Sequence, residues 1–158
     1  METYTVATPK GGVGKSTTAA ELVLALSQRG RRVLAVDLDQ QGNLTNRLGL
    51  TASSEVDGTT ADVLAGELDL DQAATPSPVL DGVDVLAGTH ALADTEANPP
   101  ADLITFLRDE LPAHADRWDD VVIDTPPSVG ALTQAGLAAA HVIIAPVTPS
   151  VEAYDQLR

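Results

Sequence analysis

Cysteine is absent from the chain, which excludes disulfides, thiolate zinc sites, iron–sulfur ligation and a cysteine nucleophile, and fits a reducing compartment. Aromatic residues are scarce. Tyr4, Phe106, Trp118 and Tyr154 are the whole set, too few for a platform that stacks the bases of a single strand. No apolar run approaches the roughly 20 residues that span a bilayer. The opening Met1-Glu2-Thr3-Tyr4 has no basic n-region, so neither a membrane span nor a signal peptide is expected. Positive charge is the third shortage: 9 Lys and Arg face 23 Asp and Glu, a formal net charge of −14. That balance opposes generic attraction to DNA or anionic lipid, because both depend on basic side chains displacing counterions. At 158 residues the length suits one domain with a core of its own.

Only two of the basic residues are lysines, and both fall in Pro9-Lys10-Gly11-Gly12-Val13-Gly14-Lys15-Ser16. This octet follows a short apolar run and precedes a helical pattern, the context in which backbone N–H groups and a helix N-terminus gather around an anion. Gly11, Gly12 and Gly14 permit positive φ and close approach of the backbone. Lys15 can reach the β and γ oxygens of a polyphosphate, the Ser16 hydroxyl can ligate magnesium, and Thr17 adds a hydroxyl toward the α-phosphate. The general pattern G-x-x-x-x-G-K-[ST] requires glycine where this chain has Pro9, so the ordinary loop is matched incompletely.

Short β-branched runs at Tyr4 to Ala7, Val33 to Val36, Val83 to Ala87, Val121 to Ile123 and Val142 to Ala145 read as buried parallel strands. Helical patterns at Ser16 to Gln28, Thr59 to Ala65, Ala101 to Leu111 and Val129 to Ala139 alternate with them, which gives a doubly wound α/β fold, a mainly parallel sheet with helices on both faces. Gly30 is placed to stop the first helix. The stretches Thr51 to Gly58, Glu67 to Gly82 and Ala93 to Pro100, rich in Asp, Thr, Ser, Pro and Gly, read as loops with one short helical turn among them.

Two acidic segments end strands. Asp37 and Asp39 lie two residues apart at the exit of the second run, on the same side of an extended backbone and toward the glycine loop. Asp124 closes Val121-Val122-Ile123 and is followed by Thr125-Pro126-Pro127-Ser128. Histidines 90, 114 and 141 lack ligand spacing, and no serine sits in a G-x-S-x-G elbow, so metal-histidine and acyl-transfer chemistry have no support. Arg29, Arg31 and Arg32 cluster at a helix end, where the macrodipole favours them.

The run from Lys10 to Thr17, K-G-G-x-G-K-S-T, resembles the deviant Walker A loop of the ParA/MinD family of partition and positioning ATPases. Asp37-Leu38-Asp39-Gln40-Gln41-Gly42-Asn43 resembles that family's D-x-D-x-Q-G-N switch, with Gln40 where proline is more often seen, and Asp124-Thr125-Pro126-Pro127 looks like its Walker B strand end. The resemblance runs from Tyr4 to about Ser150 and covers nearly the whole chain. It implies a P-loop NTPase fold of the deviant Walker A class, with residues 1–158 as a single ATPase domain shorter than the family's at its C-terminal end. It also implies ATP and Mg2+ as ligands, held by Lys10, Gly11, Gly12, Val13, Gly14, Lys15, Ser16 and Thr17, with Ser16, Asp37 and Asp124 on the metal side. Lys10, Lys15 and Asp39 form the implied catalytic set: Lys10 reaches across a dimer to the partner's nucleotide, Lys15 serves its own, and Asp39 orients the attacking water.

The function so implied is that of a ParA-like partition ATPase, an ATP-dependent homodimer of the cytoplasm, nucleoid-associated, with a ParB-like stimulating partner and non-specific DNA as matrix. No membrane contact is expected. A MinD-like membrane-associated ATPase and an ATP-dependent regulatory module without significant hydrolysis stand as alternatives; iron-protein relatives need cluster cysteines. Pro146, Thr148 and Pro149 resemble the region where relatives begin to contact adenine. A helix is expected to begin near Tyr154, with the last sheet edge uncovered.

Overall fold

The computed structural model describes residues 1–51 and 53–148. Pro149, Ser150 and the segment from Tyr154 fall outside the described residues. The chain runs β1 (Glu2–Val6), α1 (Lys15–Ser27), β2 (Val33–Asp37), α2 (Asn43–Arg47), α3 (Thr60–Leu64), α4 (Leu70–Ala73), β3 (Thr75–Pro76), β4 (Val83–Leu86), α5 (Leu92–Ala97), α6 (Leu103–Glu110), a 3-10 turn, β5 (Asp120–Asp124), α7 (Ala131–Ala139) and β6 (Val142–Ile144). The sheet order is β3-β4-β2-β5-β1-β6, parallel throughout except for the β3–β4 pair.

Strand alternation divides the core in two. Leu34, Val36, Leu38, Val121 and Ile123 face one side, where Trp118 and helices α3 to α7 cover them. Val33, Ala35, Val85 and Val122 face the other, against Ala19, Val23 and Leu26 of α1 and Leu44 of α2. This is the expected consequence of a two-residue repeat in strands buried on both faces. The first helix stops as anticipated: Gly30 takes φ 74°, its N–H donates to Ser27 O at 2.8 Å, and Arg31 N–H donates to Leu26 O at 3.2 Å, a Schellman closure. Thr59 caps α3, accepting from Asp62 N–H at 3.3 Å while its own N–H donates to Asp62 Oδ2 at 2.8 Å.

Four expectations need correction. The stretch Ala93 to Pro100 is not all loop: α5 forms across Leu92–Ala97 because Leu92 is fully buried and anchors it, a tertiary contact that polar composition conceals. The last strand is not buried. Val142 and Ile143 of β6 are exposed, and β6 pairs only with β1 among the described residues. A two-residue antiparallel strand, β3, extends the other edge and includes Pro76, tolerated because an edge strand can do without one ladder donor. Arg31 and Arg32 do more than sit at a helix end. Arg31 binds Asp120 through Nε at 2.6 Å and Nη2 at 3.0 Å, and Arg32 binds Asp119 at 2.7 Å. The Arg32 guanidinium holds the Asp119 carboxyl well below the usual range. His141 has the structural role expected of it, with Nδ1 accepting from Thr3 N–H at 2.9 Å.

Leu34 sits at 0% exposure in a central strand, so Leu34→Ala is expected to lower stability by about 2–5 kcal/mol. Urea unfolding with an unchanged m-value is the measurement.

Candidate functional site

Sheet order assembles the site. β5 lies between β1 and β2, with Val6 and Asp37 as the register partners of Asp124 on either side. The glycine loop therefore leaves β1 beside both strand-end carboxylates, and side-chain parity puts Asp37 and Asp124 on the face that α1 covers. Gly14 ends the loop in the left-handed region at φ 92° and gives α1 no side-chain cap, so first-turn N–H groups remain for a ligand. Gly12 also has positive φ, 73°, and a methyl at either glycine would meet no atom within 4 Å. Their requirement is conformational, not steric.

A cavity of about 750 Å³ opens there. Gly11, Gly12, Gly14, Lys15, Ser16 and Thr17 line it, as do Asp39, Gln41 and Asn43; Lys10, Val13, Asp37 and Asp124 do not. Lys15 is nearly buried, and Nζ donates to Lys10 O at 3.2 Å. Pro146 and Thr148 are not part of the wall either.

The three aspartates stand in different environments. Asp37 is fully buried: Oδ2 accepts from Thr45 N–H at 2.9 Å and from the Thr45 hydroxyl at 2.8 Å, and Oδ1 accepts from Asp39 N–H at 3.1 Å. Burial pushes its pKa up to about 6 against the pull of those hydrogen bonds. Asp124 is fully buried too, and neither of its oxygens completes a well-formed hydrogen bond, although the Ser16 hydroxyl lies close beside it. Burial pushes it up to about 7, held back by the nearby Ser16 hydroxyl and Lys15 ammonium, and raised by the charges of Asp37 and Asp39. Asp39 accepts from Gln41 N–H through Oδ1 at 3.0 Å, and Oδ2 has no partner among the described residues.

Among the described residues no three His, Cys, Asp or Glu side chains converge as a metal-ligand set. Magnesium does not require one, since it is commonly bound by one or two carboxylates with phosphate oxygens and water. The orphaned oxygens of Asp124, the Ser16 hydroxyl and the uncapped helix end fit a phosphate-bound magnesium. Asp37, with both oxygens already engaged, suits a supporting place better than a direct ligand.

Three residues were missed in the sequence. Thr45 links the acidic loop to the next strand exit: its hydroxyl donates to Asp37 and accepts from Gly88 N–H at 2.9 Å. Gly88 leaves no room for a side chain, since a methyl there would lie 2.7 Å from Asp37 Cγ. Glu96 of α5 lines the cavity and accepts from the N–H groups of Ala131 and Leu132 at 3.0 and 2.9 Å. The G-N-L-T run at Gly42 to Thr45 could have pointed to Thr45, but nothing local pointed to Gly88 or Glu96.

The AAA_31 family model, an AAA domain, matches residues 1–157. The chain is 36% identical over 140 residues to the sporulation initiation inhibitor protein Soj of Bacillus subtilis, covering 87% of this chain and 54% of that protein. It is 41% identical over 145 residues to the chromosome-partitioning ATPase Soj of Thermus thermophilus, covering 90% and 53%. The chain thus spans about half the length of the curated relatives it matches. Among solved structures, the cobyrinic acid a,c-diamide synthase of Mycobacterium smegmatis with bound ATP analog and magnesium superposes with a TM-score of 0.85 at 38% identity, covering 93% of this chain and 60% of that one. A plasmid partition protein of Borrelia burgdorferi gives 0.85 at 25% identity, covering 99% and 69%.

Because the folded pKa of Asp124, about 7, exceeds the ordinary 3.8, the folded chain retains a proton that the unfolded chain has released. Its contribution to stability is present below pH ~4 and is lost as pH rises through ~7. Ligand-free Asp124→Asn is therefore expected to match the unsubstituted chain near pH 4 and to exceed its stability at pH 8 by up to about 4 kcal/mol. Thermal unfolding at the two pH values checks this; a variant less stable at pH 8 would contradict it.

Proposed function

Because the chain belongs to the ParA/MinD family of AAA-domain ATPases, we propose that it is a ParA-type partition ATPase, a weak ATP hydrolase whose homodimer closes on Mg-ATP and opens after hydrolysis. The observation that carries this reading is the buried carboxylate of Asp124, which completes no well-formed hydrogen bond, with Ser16 and Lys15 close enough to shift it. A polyphosphate carrying a divalent cation satisfies the acid, the ammonium and the uncapped end of α1 together.

Ser16 and Asp124 would hold the metal, with Asp37 behind them, kept in place by Thr45. Magnesium, when bound, neutralises phosphate charge and aligns the oxygens. Lys15 brings its ammonium to the β and γ oxygens, and the Lys10-to-Thr17 backbone, Val13 included, wraps the phosphates. Lys10 is assigned to the partner's nucleotide. Asp39, whose Oδ1 is taken by Gln41 N–H, uses Oδ2 to orient the water and accept its proton. Phosphoryl transfer asks mainly for positioning and charge, so this small set suffices. Residues 1–158 act in this reading as a P-loop ATPase domain.

The partition role draws support from relatives that carry that name, and with it come a cytoplasmic place near the nucleoid, a ParB-like stimulator and DNA as matrix. No described helix is long and apolar enough to cross a membrane. Against DNA stands the net charge of −14, so the contact must be local and strongly salt-dependent. A gel-shift titration is expected to show ATP-dependent retention that falls steeply with salt; no nucleotide dependence would remove DNA from the proposal.

Lys15→Ala is expected to weaken ATP binding by about 10- to 100-fold. Asp39→Ala is expected to bind ATP normally and turn over about 100-fold more slowly, and Lys10→Ala to bind without dimerising. Equilibrium nucleotide binding, phosphate release and solution mass test these together, and normal turnover in Asp39→Ala would sink the mechanism.

A further inference from the structure

Two long helices begin near the cavity, and the fold treats their N-termini differently. α1 starts without a side-chain cap. The first turn of α7 is already engaged, because Glu96 gives one oxygen to Ala131 N–H at 3.0 Å and the other to Leu132 N–H at 2.9 Å. This bidentate, charge-assisted contact at the positive end of a helix is the clasp between α5 and α7. Leu92, Ala93 and Glu96 of α5 and Leu132 of α7 all line the cavity, as do Pro126, Pro127 and Ser128 just upstream of α7. The glycine loop lies against this upstream segment, since a methyl on Gly11 would stand 3.8 Å from Pro127 Cβ.

We propose that Glu96 is a positioning residue for the reaction: its carboxylate pins the start of α7, and so fixes the Pro126-Pro127-Ser128 wall against the glycine loop and the strand-end acids. The inference rests on the ATPase reading for its kinetic consequence but not for the clasp itself. Gly130 provides an independent handle. Its backbone, φ −72° and ψ −172°, is one any residue can adopt, yet a side chain there would fall on Glu96 Oε1. Gly130→Ala therefore acts by displacing the carboxylate, not by straining the chain.

Glu96→Ala and Gly130→Ala are each expected to lower kcat about tenfold or more, as misplacement on the ångström scale does, while nucleotide Kd stays within about threefold because the glycine loop is intact. In the Glu96→Ala background Gly130→Ala should add nothing. Glu96→Gln, which keeps the shape and an acceptor, should fall between. Equal losses from Gly130→Ala in both backgrounds, or turnover lost in step with nucleotide affinity, would overturn the assignment. If the unsubstituted protein hydrolyses no ATP, the ATPase reading fails while the clasp is still decided by hydrogen exchange. The amides of Ala131 and Leu132 are expected to exchange about tenfold faster or more in both single variants, and unchanged exchange would refute the clasp.

Discussion

The position of β5 between β1 and β2 is the constraint from which the site follows. It sets Asp124 beside Val6 on one side and Asp37 on the other, at the level where β1 gives way to the glycine loop. Both carboxylates are taken out of water, and that burial pushes both upward, to about 6 and about 7. They differ in what compensates them. Asp37 receives three hydrogen bonds from the chain, whereas Asp124 completes no well-formed one. The residue left unsatisfied is the one that needs a partner from outside.

Backbone proximity links this centre to the next strand over. Gly42, at φ 62°, has no space for a side chain because Gly88 O would lie 2.7 Å from it, and a methyl on Gly88 would meet Asp37 and the Asp39 carbonyl at the same distance. The acidic loop and the exit of β4 thus touch main chain to main chain, with Thr45 bridging them. The exit of β4 also begins the segment leading to α5, whose Glu96 reaches α7.

Charge is sorted along the strands. Arg31 and Arg32 meet Asp120 and Asp119 at the entry to β5, and Arg117 lies over the Trp118 ring while pairing with Asp84. These contacts sit at the end of the sheet opposite the cavity. Both lysines lie at the cavity end, in the glycine loop, where Arg47 also lines the wall. Arginine's planar fork suits fixed carboxylate pairs, and lysine's compact ammonium meets phosphate oxygens as a point charge. An acidic chain can hold an anion because its few lysines are concentrated where backbone N–H groups already converge.

The amino-acid order alone determined the strand-helix alternation, the loop from Lys10 to Thr17 and the two acidic strand ends, because hydrophobic period, glycine spacing and strand-terminal aspartates are local signals. It left α5 unseen, since a six-residue helix held by one buried leucine and one carboxylate has no periodic signature. It hid the partial exposure of β6, which depends on what packs beside it and not on the β-branched residues it contains. Only tertiary structure decided that Asp37 is saturated and Asp124 is not, that Thr45 and Gly88 support the first, and that Glu96 holds α7. Hydrogen-bond saturation and steric exclusion arise between segments far apart in the chain, and no local pattern records them.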